Sequence, residues 1–416
     1  MIKIEQIICR KILNSKGNQT IETTVITGGG IVAVASVPSG TSVGKYEAIE
    51  LKDVSLAIKN IENTIAPRLL GIEVSKQLEI DKIMIDVDGT QNKGRLGTNT
   101  ILSVSMAVAK AAAKSYSLPL FSYIKSLISQ KELSLKIPTP CFNLINGGKH
   151  AGGNLDLQEF LIIPESSVSY SESLQIGAAI QQSLKEKLID RNLTTLVGDE
   201  GGFGPNLPTN LDALSLLKQS VEAVNFRVGS DIFFGIDCAA SNFYKQGKYC
   251  IKDNPQPLSS KELIAFYQDL IKNYSLLYLE DPFSEDDWNG WSSITSKVSQ
   301  ETIIVGDDLT TTNPSRLEMA IDKKAITGII IKPNQIGTIT ETIEVVEMAR
   351  LKGLKIILSH RSGETNDDFI ADFAVGVGAD YVKFGALQRG ERVAKYNRLL
   401  QIEEQMKVLK SKSPRF

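Results

Sequence analysis

Histidine is the scarcest functional residue in this 416-residue chain, occurring only as His150 and His360. A site built on several imidazoles is therefore excluded. Cysteine is nearly as sparse: Cys9, Cys141, Cys238 and Cys250 form no Cys-x-x-Cys pair, which argues against a zinc ribbon or a disulfide framework. Neither sign of charge dominates, since 46 Lys and Arg oppose 48 Asp and Glu. With a net charge of -2 and a pI near 6.0, the basic footprint of a nucleic-acid binder is missing. No apolar run reaches membrane-spanning length, and the nearest, 101–113, is interrupted by Lys110. The opening Met-Ile-Lys-Ile-Glu lacks the charged-then-apolar order of a signal peptide. These absences lead us to expect a cytoplasmic protein that needs neither nucleic acid nor membrane.

What is present is ordinary for a globular chain, with 42% hydrophobic and 23% charged residues and enough length for two domains. Alternation at period two predicts strands over 2–12, 20–27 and 31–37, the last two joined through Gly28-Gly29-Gly30. The segment 38–44, Pro-Ser-Gly-Thr-Ser-Val-Gly, reads as a polar loop. Helical spacing follows at 54–66, 77–86 and 99–115. This predicts an N-terminal α+β domain over 1–130 and a second domain over 131–416.

The second domain opens with two apolar runs, 140–145 and 158–163, followed by helical stretches at 171–191 and 210–223. Six further apolar runs each end in a strongly polar residue: Asp237, Glu280, Asp307, Lys332, His360 and Lys383. The intervals between those ends are 43, 27, 25, 28 and 23 residues, and all but the first fit one strand, one helix and two short loops. The long interval contains 245–260, read as a small excursion. The pattern predicts an α/β fold with a C-terminal β/α barrel of ββαα(βα)6 type. In such barrels the chemistry gathers where the strands end.

Asp237, Glu280 and Asp307 close three consecutive predicted strands. Taken singly, each acid could cap a helix or pair with a surface base. Together they would repel one another unless a cation lay between them, and an all-oxygen set suits Mg²⁺ or Mn²⁺. The adjacent Asp281 and Asp308 and the pair Asp286-Asp287 are expected to turn toward helices or solvent by strand alternation. Lys332 and Lys383 end strands on the opposite part of the rim, where one can serve as a general base and the other as a charge partner for an anion. His360 precedes Arg361-Ser362-Gly363-Glu364, a guanidinium, a hydroxyl and loop amides suited to a phosphate. Glu159 and Glu200 are candidate acids. A lysine opposite a divalent site suits removal of a proton α to a carboxylate. Spacing leaves open whether reprotonation, as in an epimerase, or loss of a β-leaving group, as in a dehydratase, follows.

At these residues the sequence resembles the enolase family from about Ile4 to Glu404. The segments are VPSGTSVG (37–44), INGGKHAGG (145–153), QEFLIIP (158–164), VGDEGGFGPN (197–206), IDCAAS (236–241), EDPFSEDDW (280–288), VGDDL (305–309), IKPNQIGT (331–338), SHRSGET (359–365) and RGERVAKYNRLL (389–400). The resemblance implies a lyase of glycolysis and gluconeogenesis that interconverts 2-phospho-D-glycerate with phosphoenolpyruvate and water, using two Mg²⁺ ions. By the same resemblance, Lys332 takes the C2 proton and Glu200, aided by Glu159, protonates the leaving hydroxyl. Asp237, Glu280 and Asp307 match ligands of one metal, and Ser42 matches a loop ligand of the second. Arg361 and Ser362 align with the phosphate clamp, and Lys383, Gln158 and Glu159 with substrate contacts. His150 and His360 align with residues near the phosphate, His360 among the catalytic group. Family members are commonly homodimers and in some cases octamers. The alternative is a divergent epimerase or dehydratase of the same superfamily. The chain departs from the family pattern at Asn14 to Thr20, at Val43, at Lys149 and at Phe384, which follows Lys383.

Overall fold

The computed structural model describes residues 2–40, 44–130 and 133–412, with only the backbone of 410–412. Three strands, β1 (Ile4–Leu13), β2 (Gln19–Thr27) and β3 (Val32–Ser36), form an antiparallel meander as the alternation predicted. Ile21, Thr23, Val25 and Thr27 of β2 are buried at period two. The first helical stretch is longer and less regular than expected. α1 (Val54–Asn60) passes into a π turn over Ile61–Ile65 and then into α2 (Ala66–Leu69). Pro67 explains the break, because it has no N–H to offer the Asn63 carbonyl. α3 (Gln77–Asp88) and α4 (Thr98–Ser115) match the reading, whereas α5 (Leu120–Leu127) was not anticipated. Nearly all of α4 is buried, and its Ala and Ser side chains let it pack closely on both the sheet and the barrel.

The barrel begins with β4 (Thr139–Pro140) and β5 (Phe142–Asn146), two halves of one stretch broken at Cys141, and continues with β6 (Glu159–Pro164), α6 (Tyr170–Asp190) and α7 (Asn210–Ala223). After β7 (Ile232–Asp237), the expected excursion is a short hairpin, β8 (Tyr244–Lys245) and β9 (Lys248–Tyr249). Then come α8 (Ser260–Tyr274), β10 (Leu276–Glu280), α9 (Trp288–Val298), β11 (Ile303–Gly306), α10 (Pro314–Asp322) and β12 (Gly328–Ile331). α11 (Ile339–Leu351), β13 (Lys355–Ser359), α12 (Phe369–Gly376), β14 (Tyr381–Lys383) and α13 (Gly390–Lys412) complete the ββαα(βα)6 order. Strand β4 pairs with β14 at one end of the sheet and β5 with β6 at the other, so one chain stretch closes the barrel. Cys141, Leu161, Ile163, Tyr278, Val305, Ile330 and Ile357 fill its interior. A larger core lies between strands and helices and runs into the N-terminal domain.

Polar contacts fix the N-terminal domain over the barrel mouth. Ser39 and Gly363 exchange backbone hydrogen bonds of 2.8 and 2.9 Å, and Ser15 N–H donates to the Glu364 carbonyl at 2.7 Å. A Cβ on Gly363 would lie 2.8 Å from the Ser39 carbonyl oxygen, so glycine is what permits the approach. Lys110 bonds both oxygens of Asp367 at 2.7 and 2.8 Å. Among the described residues, no helix is long and apolar enough to cross a membrane.

Candidate active site

Register builds the site. Glu159 on β6 pairs opposite Asp237 on β7, and Asp237 pairs in turn with Glu280 on β10, so three carboxylates stand side by side on adjacent strands. Asp307 follows the end of β11, next in order. Lys383, at the end of β14, reaches across the rim: its Nζ lies 3.2 Å from Glu159, 3.2 Å from Asp237 and 2.9 Å from Glu280. Tyr278 donates to Glu280 from within the barrel. The ammonium of Lys332 bonds Asp307. The two lysines, expected opposite the acids, therefore reach into them. Burial works against both ammonium ions, but Asp307 holds Lys332 above the ordinary lysine range, and Glu159, Glu280 and Asp237 hold Lys383 well above it.

Asp281 and Asp308 correct the alternation argument. Asp281 lies just past β10 with φ +42, so strand alternation no longer sets its direction. It is buried, accepts from the backbone N–H groups of Asp307 and Asp308 at 2.9 and 2.8 Å, and lines the cleft together with Asp308. Asp287 does turn away, capping α9 through Gly290 N–H, and Asp286 is exposed beside Lys45 and Tyr46.

The cleft is narrow and partly open to solvent. Among the described residues, Glu47, Glu159, Glu200, Asp237, Asp281, Asp307 and Asp308 line it, against Lys332, Arg361 and Lys383 as permanent cations. Burial and neighbouring carboxylates push Glu280 to about 8, Asp308 to about 7 and Asp281 well above its usual range. Carboxylate oxygens of Asp281, Asp307 and Asp308 lie within 4.8 Å of one another. Such an excess of hard oxygen donors fits a divalent cation of the Mg²⁺ type. Ser42, expected as a ligand of a second ion, lies outside the described residues.

On the other side stand the histidines. His150 Nδ1 is 3.3 Å from Glu200 and 3.8 Å from Glu159, and His360 Nε2 is 3.4 Å from Glu200. Burial drives His360 down to about 4, so the ring is neutral at neutral pH. Burial also opposes the Glu200 charge, but His150 and His360 beside it keep its carboxyl well below the ordinary range, and Asn143 Nδ2 donates to it at 3.1 Å. Glu159 is pushed well above its range, first by burial and then by the charge of Glu200. Gln158 Nε2 lies 3.4 Å from Asp237.

Arg361 is buried and bound by Glu47 at 3.0 Å and by Asn334 at 3.0 Å, while Ser362 lines the same cleft. Spacing gave no hint of Glu47 or Asn143, since neither ends a barrel strand. Of the family departures, Lys16 pairs with Asp199, next to Glu200, and Lys149 is exposed. Phe384 is fully buried, packs on Tyr396 with ring centroids 5.9 Å apart and belongs to the hydrophobic core, not to the lining of the cleft that Lys383 enters. Gly385 follows with φ +90, where a Cβ would lie 2.6 Å from the Glu200 carbonyl oxygen.

Two family models match the chain: "Enolase, N-terminal domain" over residues 4–124 and "Enolase, C-terminal TIM barrel domain" over residues 134–411. With both domains matched and a lysine, paired acids and a carboxylate cluster converging on one barrel mouth, the chain belongs to the enolase family.

Proposed function

We propose that the protein dehydrates 2-phospho-D-glycerate reversibly to phosphoenolpyruvate, as a phosphopyruvate hydratase of glycolysis and gluconeogenesis. The observation that carries the reading is the placement of Lys332 and the Glu159–Glu200 pair around one cleft that also holds Arg361 and the carboxylate row. Asp237, Glu280 and Asp307 would hold one Mg²⁺, with Ser42 assigned to the second. A bound divalent cation supplies charge stabilisation to the dianion formed when the α-proton leaves.

Lys332 is the base. It must part from Asp307 and lose its proton first, and Arg361 and Lys383 both favour the neutral amine once that pairing is relaxed. Glu200 is the acid for the leaving hydroxyl; because the histidines beside it favour its ionised form, it must first take up a proton, and Glu159, whose neutral form burial favours and which shares His150 with it, is the proton reserve that passes one across. Arg361 and Ser362 receive the phosphate, which must displace or share the Glu47 contact. Lys383 and Gln158 orient the carboxylate end of the substrate. Oligomerisation, most simply as a homodimer, and a cytoplasmic location belong to the same proposal. The test is Mg²⁺-dependent formation of phosphoenolpyruvate from 2-phosphoglycerate, read by ultraviolet absorbance. Turnover is expected with wild type, and its absence under saturating Mg²⁺ would overturn the reading.

A further inference from the structure

The segment RGERVAKYNRLL, prominent in the sequence, contributes Arg392, whose side chain is completely buried at the start of α13. Its guanidinium serves two loops at once. Nη1 lies 2.7 Å from His360 Nδ1 and 2.5 Å from the Arg361 carbonyl oxygen, and Nη2 lies 2.7 Å from the Ser362 carbonyl oxygen and 3.0 Å from that of Asp199. Asp199 precedes Glu200, whereas Arg361 and Ser362 form the anion clamp. The nearest carboxylate is Glu391, 3.4 Å from Nε. Burying a permanent cation with so little direct charge compensation is costly, and its return is the set of oxygens and one ring nitrogen that it gathers.

We infer that Arg392 is a positioning residue that fixes His360 as the neutral Nε2–H tautomer, with the protonated nitrogen on the side of Glu200. Guanidinium nitrogens donate and cannot accept, so the Nδ1 facing Arg392 must carry the lone pair. The proton is then on Nε2, the nitrogen 3.4 Å from Glu200 Oε1. A reversed ring would put a carbon against the guanidinium at hydrogen-bond distance. Protonating Nδ1 would set an imidazolium N–H against that N–H, so the ring stays neutral while Arg392 is in place. His360 therefore presents no lone pair to Glu200 and cannot take a proton from it, and its Nε2 makes no hydrogen bond to a described side chain here. Arg389 reinforces the arrangement by bonding the Gly198 carbonyl at 3.1 Å and the Ser15 carbonyl at 3.0 Å.

The catalytic consequence rests on the proposed hydratase reading, but the tautomer does not. With two histidines in the chain, NMR of protein carrying isotopically labelled histidine gives two imidazole patterns, assigned by His150→Gln. The wild-type protein near neutral pH is expected to show His360 as a single Nε2–H tautomer. An Nδ1–H tautomer or an imidazolium there would overturn the inference, whether or not phosphoenolpyruvate is formed. Arg392→Gln replaces the donor-only group by an amide that can donate or accept; it is expected to give a tautomer mixture and a kcat lower by about tenfold to a hundredfold, with KM changing less. A folded Arg392→Gln protein with the wild-type tautomer would equally contradict it. If that variant does not fold, the wild-type spectrum still decides.

Discussion

Lys383 Nζ sits 2.9 Å from Glu280 Oε1 where neither side chain reaches solvent, and the same nitrogen touches Glu159 and Asp237. Removing this ammonium leaves three buried carboxylates facing one another. Lys383→Met is expected to lose about 3–5 kcal/mol of stability in chelator. Saturating Mg²⁺ should recover part of that loss by binding the native carboxylate cluster. Urea denaturation with and without Mg²⁺ checks this, and an unchanged midpoint in chelator would count against the charge balance described.

A second buried acid joins the domains. Asp81 of α3 accepts from Thr340 N–H at 3.0 Å, Thr340 Oγ1 at 2.7 Å and Gln77 at 3.0 Å, tying the N-terminal domain to the start of α11. Burial raises its carboxyl to about 6 against hydrogen bonds that pull it down. The folded chain thus holds this proton more tightly than the unfolded chain, whose carboxyl titrates near 3.8. The contribution is fully present below that value and is lost as pH rises through about 6, by about 3 kcal/mol in all. Asp81→Asn should remove this slope, so its stability relative to wild type rises between those pH values. Parallel denaturation curves at each pH test it.

Phe384 separates packing from chemistry. Phe384→Ala removes a ring buried against Tyr396 and should cost about 3–5 kcal/mol. Because the ring does not line the cleft, KM for 2-phosphoglycerate should hold at its wild-type value below the melting range. A raised KM would show that the ring acts on the site.

These residues also show what a sequence can and cannot disclose. The run Ile-Ile-Ile-Lys332 was legible because a strand buried on both faces is apolar throughout and its polar end marks the rim. The row Glu159–Asp237–Glu280 was only partly legible, since it depends on antiparallel register across β6 and β7. Asp281 was misread because a positive φ beyond the strand end cancels alternation. α5 is short, with Pro119 before it, and gave little periodic signal. Arg392 and Glu47 act through contacts across more than thirty and three hundred residues of sequence, respectively, which spacing cannot register.

In the proposed reaction Lys332 removes the C2 proton while Glu200 serves the leaving hydroxyl. Exchange of that proton in D₂O with Mg²⁺ present, followed by NMR of 2-phosphoglycerate, addresses it directly. Wild type should exchange the proton and form phosphoenolpyruvate. Glu200→Gln should still exchange it but form no phosphoenolpyruvate, and Lys332→Ala should do neither while remaining folded. Wild-type exchange in Lys332→Ala would contradict the account.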